Sequence, residues 1–197
     1  GEILDAPAHV KPDGHSPATL EATIKVQDLS LELDGQGILH QLNFSIDKGK
    51  VLGIVGAIGS GKTSLIRCLQ GHYPVSPNTI FIGGHDITTL NLDRVRKIFS
   101  TAEQEPALFS KSVHDNISFG DPKASAQDIN NAVTQAALDV DLKALPEGLQ
   151  TMVGDKGITL SGGQKQRTSL ARALLVKRPI LILDDILASV DAKTQTT

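Results

Sequence analysis

The segment VLGIVGAIGSGKTSLIRCLQ, residues 51–70, decides the fold of this chain. Its apolar start, residues 51–55, is short and bounded by glycines, a pattern typical of a strand buried on both faces of a sheet. Residues 62–69 have apolar side chains at helical spacing, and Gly71 and Pro74 follow as helix stop signals. A glycine-rich loop joins the two. The segment therefore predicts a strand, a loop and a helix at the centre of an α/β protein.

The loop, residues 56–63, matches the pattern Gly-x-x-x-x-Gly-Lys-Thr of a phosphate-binding loop. Its glycines let successive N–H groups turn inward around an anion. We expect Lys62 to reach the β- and γ-phosphates of a nucleotide and the Thr63 hydroxyl to bind Mg²⁺. The positive end of the following helix adds to the anion site. The predicted nucleotide contacts are Gly56, Ala57, Ile58, Gly59, Ser60, Gly61, Lys62, Thr63 and Ser64.

A second glycine motif, LSGGQ, occupies residues 160–164. Ser161 and Gln164 have the spacing of a capping box, so a helix is predicted to begin here. Glycine costs about 1 kcal/mol relative to alanine in a helix, yet Gly162 and Gly163 fall in the first turn. Close approach of the backbone to a phosphate explains this choice better than a loop that merely contains two glycines. The predicted contacts are Leu160, Ser161, Gly162, Gly163 and Gln164.

The sequence ILILDD, residues 180–185, indicates another buried strand that ends in two carboxylates. Open α/β sheets place ligand-handling residues at this end of their strands. Asp184 is the expected partner of the Mg²⁺ shell, and Asp185 stands where a general base or a water-orienting group is needed. Without the two glycine motifs, a solvated strand end would explain the pair equally well.

These motifs, in this order, resemble the nucleotide-binding domain of ATP-binding cassette (ABC) transporters from about Thr23 onward. The resemblance implies an α/β fold of the P-loop NTPase (RecA-like) class: a mixed sheet core, an N-terminal antiparallel β subdomain and an inserted α-helical subdomain at about 106–160. It also implies the cofactors ATP and Mg²⁺. Two such domains would face head to tail, each ATP lying between the glycine loop of one and the LSGGQ motif of the other.

The same resemblance assigns Gln104 to Mg²⁺, to the attacking water and to coupling with a membrane domain. Residues 102–120 and 151–157 look like segments of exporters, and Asp191 matches an aspartate that communicates between the two ATP sites. Exporter-type transport and a location on the cytoplasmic face of the cell membrane follow as expectations. Catalysis would then depend on Asp185, Gln104 and Lys62.

Three departures from the family pattern are visible in the sequence. Efficient ATPases of the family have glutamate where this chain has Asp185, and an aromatic residue that stacks on adenine where Leu33 stands. No histidine follows Asp191, so the family's switch histidine is not in this chain. An intact LSGGQ beside a shortened carboxylate resembles the weak-site half of heterodimeric bacterial exporters, which completes the competent site of its partner.

Composition limits the remaining possibilities. The 197 residues are 40% hydrophobic, enough for one core, and the net charge of −3 without a basic run argues against nucleic acid as a partner. The single Cys68 excludes a disulfide framework and fits a reducing cytosol. No apolar stretch approaches the roughly 18 residues that span a bilayer. We therefore expect residues 1–21 to be a linker from a transmembrane domain outside this chain, and residues 22–197 to be a C-terminally truncated nucleotide-binding domain.

Shorter patterns predict the outer elements. Alternating Leu29, Leu31 and Leu33, followed by a second alternating run at residues 42–46, indicate a β-hairpin around a turn at residues 34–37. A further strand is expected at residues 79–82. A helix capped by Ser125 and Asp128 is expected to continue to Val140.

Three functions remain open on the sequence alone. The first is an ATP-hydrolysing domain that couples ATP-driven pairing with a second nucleotide-binding domain to movement of a membrane unit. The second is a regulatory module that holds ATP at a weak or inactive site and completes the ATPase site of its partner. The third is a cytosolic ABC protein without a membrane partner, which the exporter-like segments disfavour.

Overall fold

The computed structural model describes residues 20–154 and 157–184. They belong to two compact units, which divide after Phe99. The strands are β1 Ile24–Leu33, β2 Gln36–Ile46, β3 Ile80–Ile82, β4 His85–Asp86, β5 Phe99–Ala102 and β6 Ile180–Leu183. The α-helices are α1 Lys62–Leu69, α2 Leu92–Lys97, α3 Val113–Ser118, α4 Ala126–Gln135, α5 Asp139–Leu142 and α6 Gly162–Leu175, with short 3₁₀ turns at Ile87–Thr89 and Gly148–Gln150.

The first unit contains an antiparallel sheet in the order β2-β1-β3-β4. The predicted hairpin is confirmed: Leu33 pairs with Gln36, and the two residues between them, Asp34 and Gly35, have φ angles of 51° and 76°. Left-handed residues at both turn positions match the twist of the flanking strands. One face of β1 is buried, because its side chains alternate between the core and solvent.

The predicted strand at residues 79–82 is present as β3, whose Ile80 and Ile82 side chains are completely buried. A turn of two glycines, Gly83 and Gly84, both with positive φ, leads into β4. The helix predicted after the glycine loop is also confirmed, with the bounds Lys62–Leu69.

The predicted buried strand at residues 51–55 was wrong. This segment has no regular secondary structure, and its apolar side chains are exposed, with Val51 at 97% and Val55 at 94%. A strand forms only when a neighbouring strand completes its hydrogen bonds. In the part of the chain that the structure describes, no strand pairs with these residues. Apolar composition alone therefore did not produce a strand here.

The strand predicted before the two aspartates forms as β6 and pairs with β5. It is half-buried rather than buried on both faces, since Leu181 and Leu183 are 41% and 48% exposed. Among the described residues β5 is its only neighbour in the sheet. The run ILIL therefore predicted the strand correctly and its burial incorrectly.

Helices dominate the second unit, where α6 packs against α3 and α4 around a common core. That core includes Val113, Ile117, Ile129, Val133, Leu138, Ala171 and Leu175. The helix expected to reach Val140 ends earlier, at Gln135, because Ala137 has a left-handed φ of 53°. Val140 lies instead in the short α5 and is 67% exposed.

Candidate functional site

The glycine loop of the first unit curves around the ammonium group of Lys62. This group donates hydrogen bonds to the main-chain oxygens of Gly56 and Ala57, both at 2.9 Å. The amide of Ser60 donates to the oxygen of Ala57 at 3.1 Å, which closes a turn inside the loop. Residues 56–60 are exposed. The Lys62 ammonium group therefore lies in an exposed loop that an anion can reach from solvent.

Two glycines give the loop its shape. Gly59 and Gly61 have φ angles of 81° and 88°, which side chains disfavour. At Gly61 a Cβ would also lie 2.8 Å from Cδ2 of Leu39 and 3.1 Å from the oxygen of Ile38, so the loop packs closely on β2. Gly61 is the N-cap of α1 and provides no side-chain bond to the first turn. Gly61 therefore offers no side chain that would compete with an anion for the N–H groups at this end of the helix.

Helix α1 is anchored below the loop by Leu65, Cys68 and Leu69, which are buried. The Cys68 thiol is completely inaccessible, and burial raises its pKa to about 11. It is a packing residue and not a nucleophile. Because these buried side chains anchor the helix, its N-terminal end, with Lys62 and Thr63, is held in place over the core.

The LSGGQ motif forms the first turn of α6. The predicted capping box is confirmed, since the Ser161 hydroxyl accepts from the amide of Gln164 at 3.3 Å and the Gln164 side chain accepts from the amide of Ser161 at 2.9 Å. Leu160 is buried, whereas Ser161 and Gly162 are exposed. A Cβ at Gly162 would meet nothing within 4 Å. The turn is therefore closed by two reciprocal hydrogen bonds, and its backbone is accessible at Gly162.

Gln104 and Asp184 lie at the same edge of the second unit. Strand β5 ends at Ala102, and the amide of Asp184, which follows β6, donates to the Ala102 oxygen at 3.0 Å. The oxygen of Gln104, two residues after β5, accepts from the Gln166 side chain at 3.1 Å. The main chain of Asp184 is thus bonded two residues before Gln104, while Thr63 belongs to the first unit.

The predicted ligands have the chemistry that Mg²⁺ prefers, namely hydroxyl, amide and carboxylate oxygens supplemented by water or phosphate. Within residues 20–154 and 157–184, no cluster of three or more histidine, cysteine or acidic side chains could hold a metal on its own.

The two exporter-like segments pair with each other. Ser112 and Met152 form an antiparallel bridge, flanked by hydrogen bonds from the amide of Val113 to the Thr151 oxygen and from the amide of Val153 to the Lys111 oxygen, both 3.0 Å. Residues 155 and 156 of the second segment lie outside the described residues. The pairing joins the chain after Gln104 to the loop that precedes α6.

A polar centre that the motifs did not predict ties these segments to α6. The completely buried Asn116 donates to the oxygens of Phe109 and Ser112 at 3.0 Å and accepts from the Phe109 amide at 2.8 Å. Arg172 of α6 donates to the Asn116 oxygen at 2.7 Å and to the Ala107 oxygen at 3.1 Å. Burial lowers the pKa of Arg172, although the charge of Glu103 opposes this shift. In the sequence, the helical spacing of Asn116 with Val113 and Ile117 could have indicated that Asn116 faces the core.

The other predicted residues lie at the end of a strand or outside the described part of the chain. Leu33 is the last residue of β1 and is partly buried. Asp185 and Asp191 lie outside the described residues, as do residues 1–19 of the predicted linker. In the described part of the chain, no helix combines the length and the apolar character that crossing a bilayer requires.

Comparison with known proteins gives consistent matches. The profile of the family described as ABC transporter matches residues 39–188. The chain is 45% identical over 157 residues to the probable multidrug resistance ABC transporter ATP-binding/permease protein YheI of Bacillus subtilis, covering 80% of this chain and 27% of that protein. It is 40% identical over 193 residues to the multidrug resistance-like ATP-binding protein MdlA of Escherichia coli, covering 96% and 33%.

A solved structure, a bacterial Atm1-family ABC exporter with ATP bound, superposes with a TM-score of 0.85 at 31% identity and covers 93% of this chain and 32% of that one. The chain thus spans about a third or less of the length of these relatives.

Proposed function

Because the chain belongs to the ABC transporter family, we propose that it is the ATP-binding and ATP-hydrolysing domain of an exporter. The observation that carries this proposal is the glycine loop, in which Lys62 lies within hydrogen-bonding reach of the loop's own backbone. A triphosphate would replace these neutral carbonyl acceptors with anionic phosphate oxygens, which bind the Lys62 ammonium group more strongly. Main-chain N–H groups of the loop and of the first turn of α1 would hold the phosphates.

The proposed reaction depends on residues of several motifs. Thr63, Gln104 and Asp184 would hold a Mg²⁺ ion, which neutralises phosphate charge when bound. Gln104 and Asp185 would orient the attacking water. Residues 160–164 would contact ATP held by a second nucleotide-binding domain, so that ATP joins the two domains and hydrolysis separates them. A transmembrane domain would convert this cycle into transport, with the present domain on the cytoplasmic face of the cell membrane.

Calorimetric titration with Mg-ATP tests the proposal directly. The wild-type chain should bind, and Lys62→Ala should weaken binding by tenfold or more, because hydrogen bonds to charged groups contribute about 1.5–3 kcal/mol. The matched control is Lys48→Ala, which removes an exposed lysine outside the loop and should bind as the wild type does. If the wild-type chain fails to bind Mg-ATP, the proposed function is wrong.

A second candidate function is favoured by Asp185, whose carboxylate is one methylene shorter than glutamate. The domain would then hold ATP without hydrolysing it and complete the ATPase site of a different partner domain, as one half of a heterodimer. Leu33 in place of an aromatic residue supports the same view, because stacking on an aromatic contributes about 1–3 kcal/mol per base in nucleic-acid binders.

Turnover of the assembled transporter distinguishes the two candidates. A rate of several per second that Lys62→Ala abolishes would reject the regulatory module. If the shortened carboxylate limits the rate, Asp185→Glu should raise turnover by about tenfold, which corresponds to 1.4 kcal/mol in the transition state. Asp139→Glu, on the exposed surface of α5, is the control and should have no effect.

A further inference from the structure

An ion pair with two hydrogen bonds fastens α6 to α5. Arg167 donates through Nε to Oδ2 of Asp141 at 2.5 Å and through Nη2 to Oδ1 at 2.9 Å. The two side chains are only 24% and 14% exposed. Bidentate pairing of a guanidinium with a carboxylate fixes direction as well as distance. A second pair in the same unit, Lys177 with Asp128, is far more exposed, at 72% and 36%.

The guanidinium of Arg167 also lies against the first turn of α6. A Cβ on Gly163 would be 3.4 Å from both terminal nitrogens of Arg167. The guanidinium therefore stands between the Asp141 carboxylate and the backbone of the LSGGQ motif. The Arg167 guanidinium thus occupies the side of the first turn on which a side chain at position 163 would lie.

Helix α5 is a firm support for this contact although it has only four residues. Leu138, which precedes it, is 1% exposed, and Leu142 at its end packs against the core that α4 and α6 share. The amide of Leu142 donates to the Leu138 oxygen at 3.0 Å. Asp141 is thus carried by an element that is anchored at both ends.

We propose that Asp141 and Arg167 are positioning residues that hold the LSGGQ turn at the angle required to contact ATP on a facing domain. This inference rests on the proposed function, in which that turn completes a partner's ATP site. Arg167 acts here through the Gly163 backbone and makes no contact with phosphate. The pair joins residues 26 positions apart, and Asp141 lies outside every motif of the sequence.

The key variant is Asp141→Asn, which keeps the shape of the side chain and removes its charge. Amide hydrogen exchange at Gln164 and Lys165, whose amides both bond to Ser161, should become about tenfold faster, because the turn opens more often. Binding of Mg-ATP to the glycine loop should keep its dissociation constant. In the assembled transporter, kcat should fall about tenfold while KM changes little. Asp141→Glu retains a carboxylate and should restore part of the rate.

The matched control is Lys177→Gln, which breaks the exposed pair of the same unit and should alter neither exchange at Gln164 and Lys165 nor kcat. Should Asp141→Asn fail to fold, Arg167→Lys is the second variant, because lysine keeps the positive charge but cannot make both guanidinium bonds to Asp141. It should show faster exchange and a lower kcat, both to a smaller extent.

Two results would overturn the inference while leaving the proposed function intact. Asp141→Asn could match the control in both exchange and kcat, in which case the pair does not position the turn. It could instead strengthen ATP-driven association of the domains, which would mean that the freed Arg167 contacts phosphate directly. Absence of Mg-ATP binding by the wild-type chain is a different result, because it overturns the proposed function itself and this inference with it.

Discussion

The glycine loop and the LSGGQ turn both lead a glycine-rich segment into a helix, but they are built in opposite ways. Gly61 caps α1 in a left-handed conformation without a side-chain bond, and the loop before it is exposed. Ser161 caps α6 in an extended conformation, with a reciprocal bond to Gln164. Behind them, Lys62 bonds to its own loop, whereas Arg167 bonds to another helix.

This difference corresponds to two ways of handling a phosphate. The glycine loop depends on dihedral angles that only glycine adopts readily and on packing against β2, so it can surround a ligand. The LSGGQ turn has its cap satisfied and is supported from behind, so it can offer only one accessible face. We infer that the first region is the enclosing half of a nucleotide site and the second is the half presented to another site.

The largest effect is expected for Gly61→Ala. An L-residue in the left-handed region costs about 1–2 kcal/mol, and the new Cβ would also overlap Leu39 and the oxygen of Ile38. We expect the free energy of unfolding to fall by more than about 2 kcal/mol and Mg-ATP binding to be lost.

Gly59→Ala is the control for this substitution, because its φ is similar but nothing lies within 4 Å of its Cβ. Urea denaturation of both variants gives the comparison. Equal losses would show that packing on β2 does not shape the loop.

The next largest effect is expected for Ser161→Ala, which removes the hydroxyl that caps α6. Loss of an N-cap costs about 1 kcal/mol, and we expect a matching decrease in the free energy of unfolding. Ser125→Ala removes the corresponding 3.1 Å contact with the amide of Asp128 at the start of α4, together with a 2.6 Å bond to the exposed carboxylate of the same residue. Both variants should lose similar stability, but only Ser161→Ala should reduce ATP-driven association with a partner domain. Equal association of the two would contradict a ligand role for this turn.

A smaller effect, of opposite sign, is expected for Gly162→Ala. The Cβ enters open space and alanine favours the helix, so stability should rise by up to about 1 kcal/mol. Association in the presence of ATP should nevertheless weaken, because the methyl group covers the accessible backbone. The reverse exchange at the first position of α4, Ala126→Gly, should lower stability without affecting association. A Gly162→Ala variant that associates normally would argue against phosphate contact at this position.

The smallest effect near neutral pH concerns Cys68 in α1. Its thiol should react with a disulfide reagent at pH 8 only when the first unit opens, since burial raises the pKa from 9.0 to about 11. As the pH rises, the Cys68 thiol ionises in the unfolded chain before it does so in the folded one. Its contribution to the free energy of unfolding is therefore complete below pH 9 and is lost as the pH rises towards 11. Rapid labelling of the native protein would contradict the burial of this helix.

Much of the fold was predictable because its signals are local. The hairpin turn at Asp34 and Gly35, the bounds of α1 and the caps of α4 and α6 follow from residues within four positions of one another. The family and the α/β fold class predicted from the order of the motifs are confirmed by the match over residues 39–188 and by the exporter structure with a TM-score of 0.85. The roles of the individual site residues remain predictions.

By itself, then, the sequence determined where α1, α4 and α6 begin and which family the chain belongs to. Tertiary structure alone decided that residues 51–55 form no strand, that α4 stops at Gln135, and that Asp141 meets Arg167 while Asn116 meets Arg172. The physical reason is the sequence separation between the residues that interact. Caps and turns are satisfied within a few residues, whereas strand ladders, buried amides and ion pairs require partners that only the folded chain brings close.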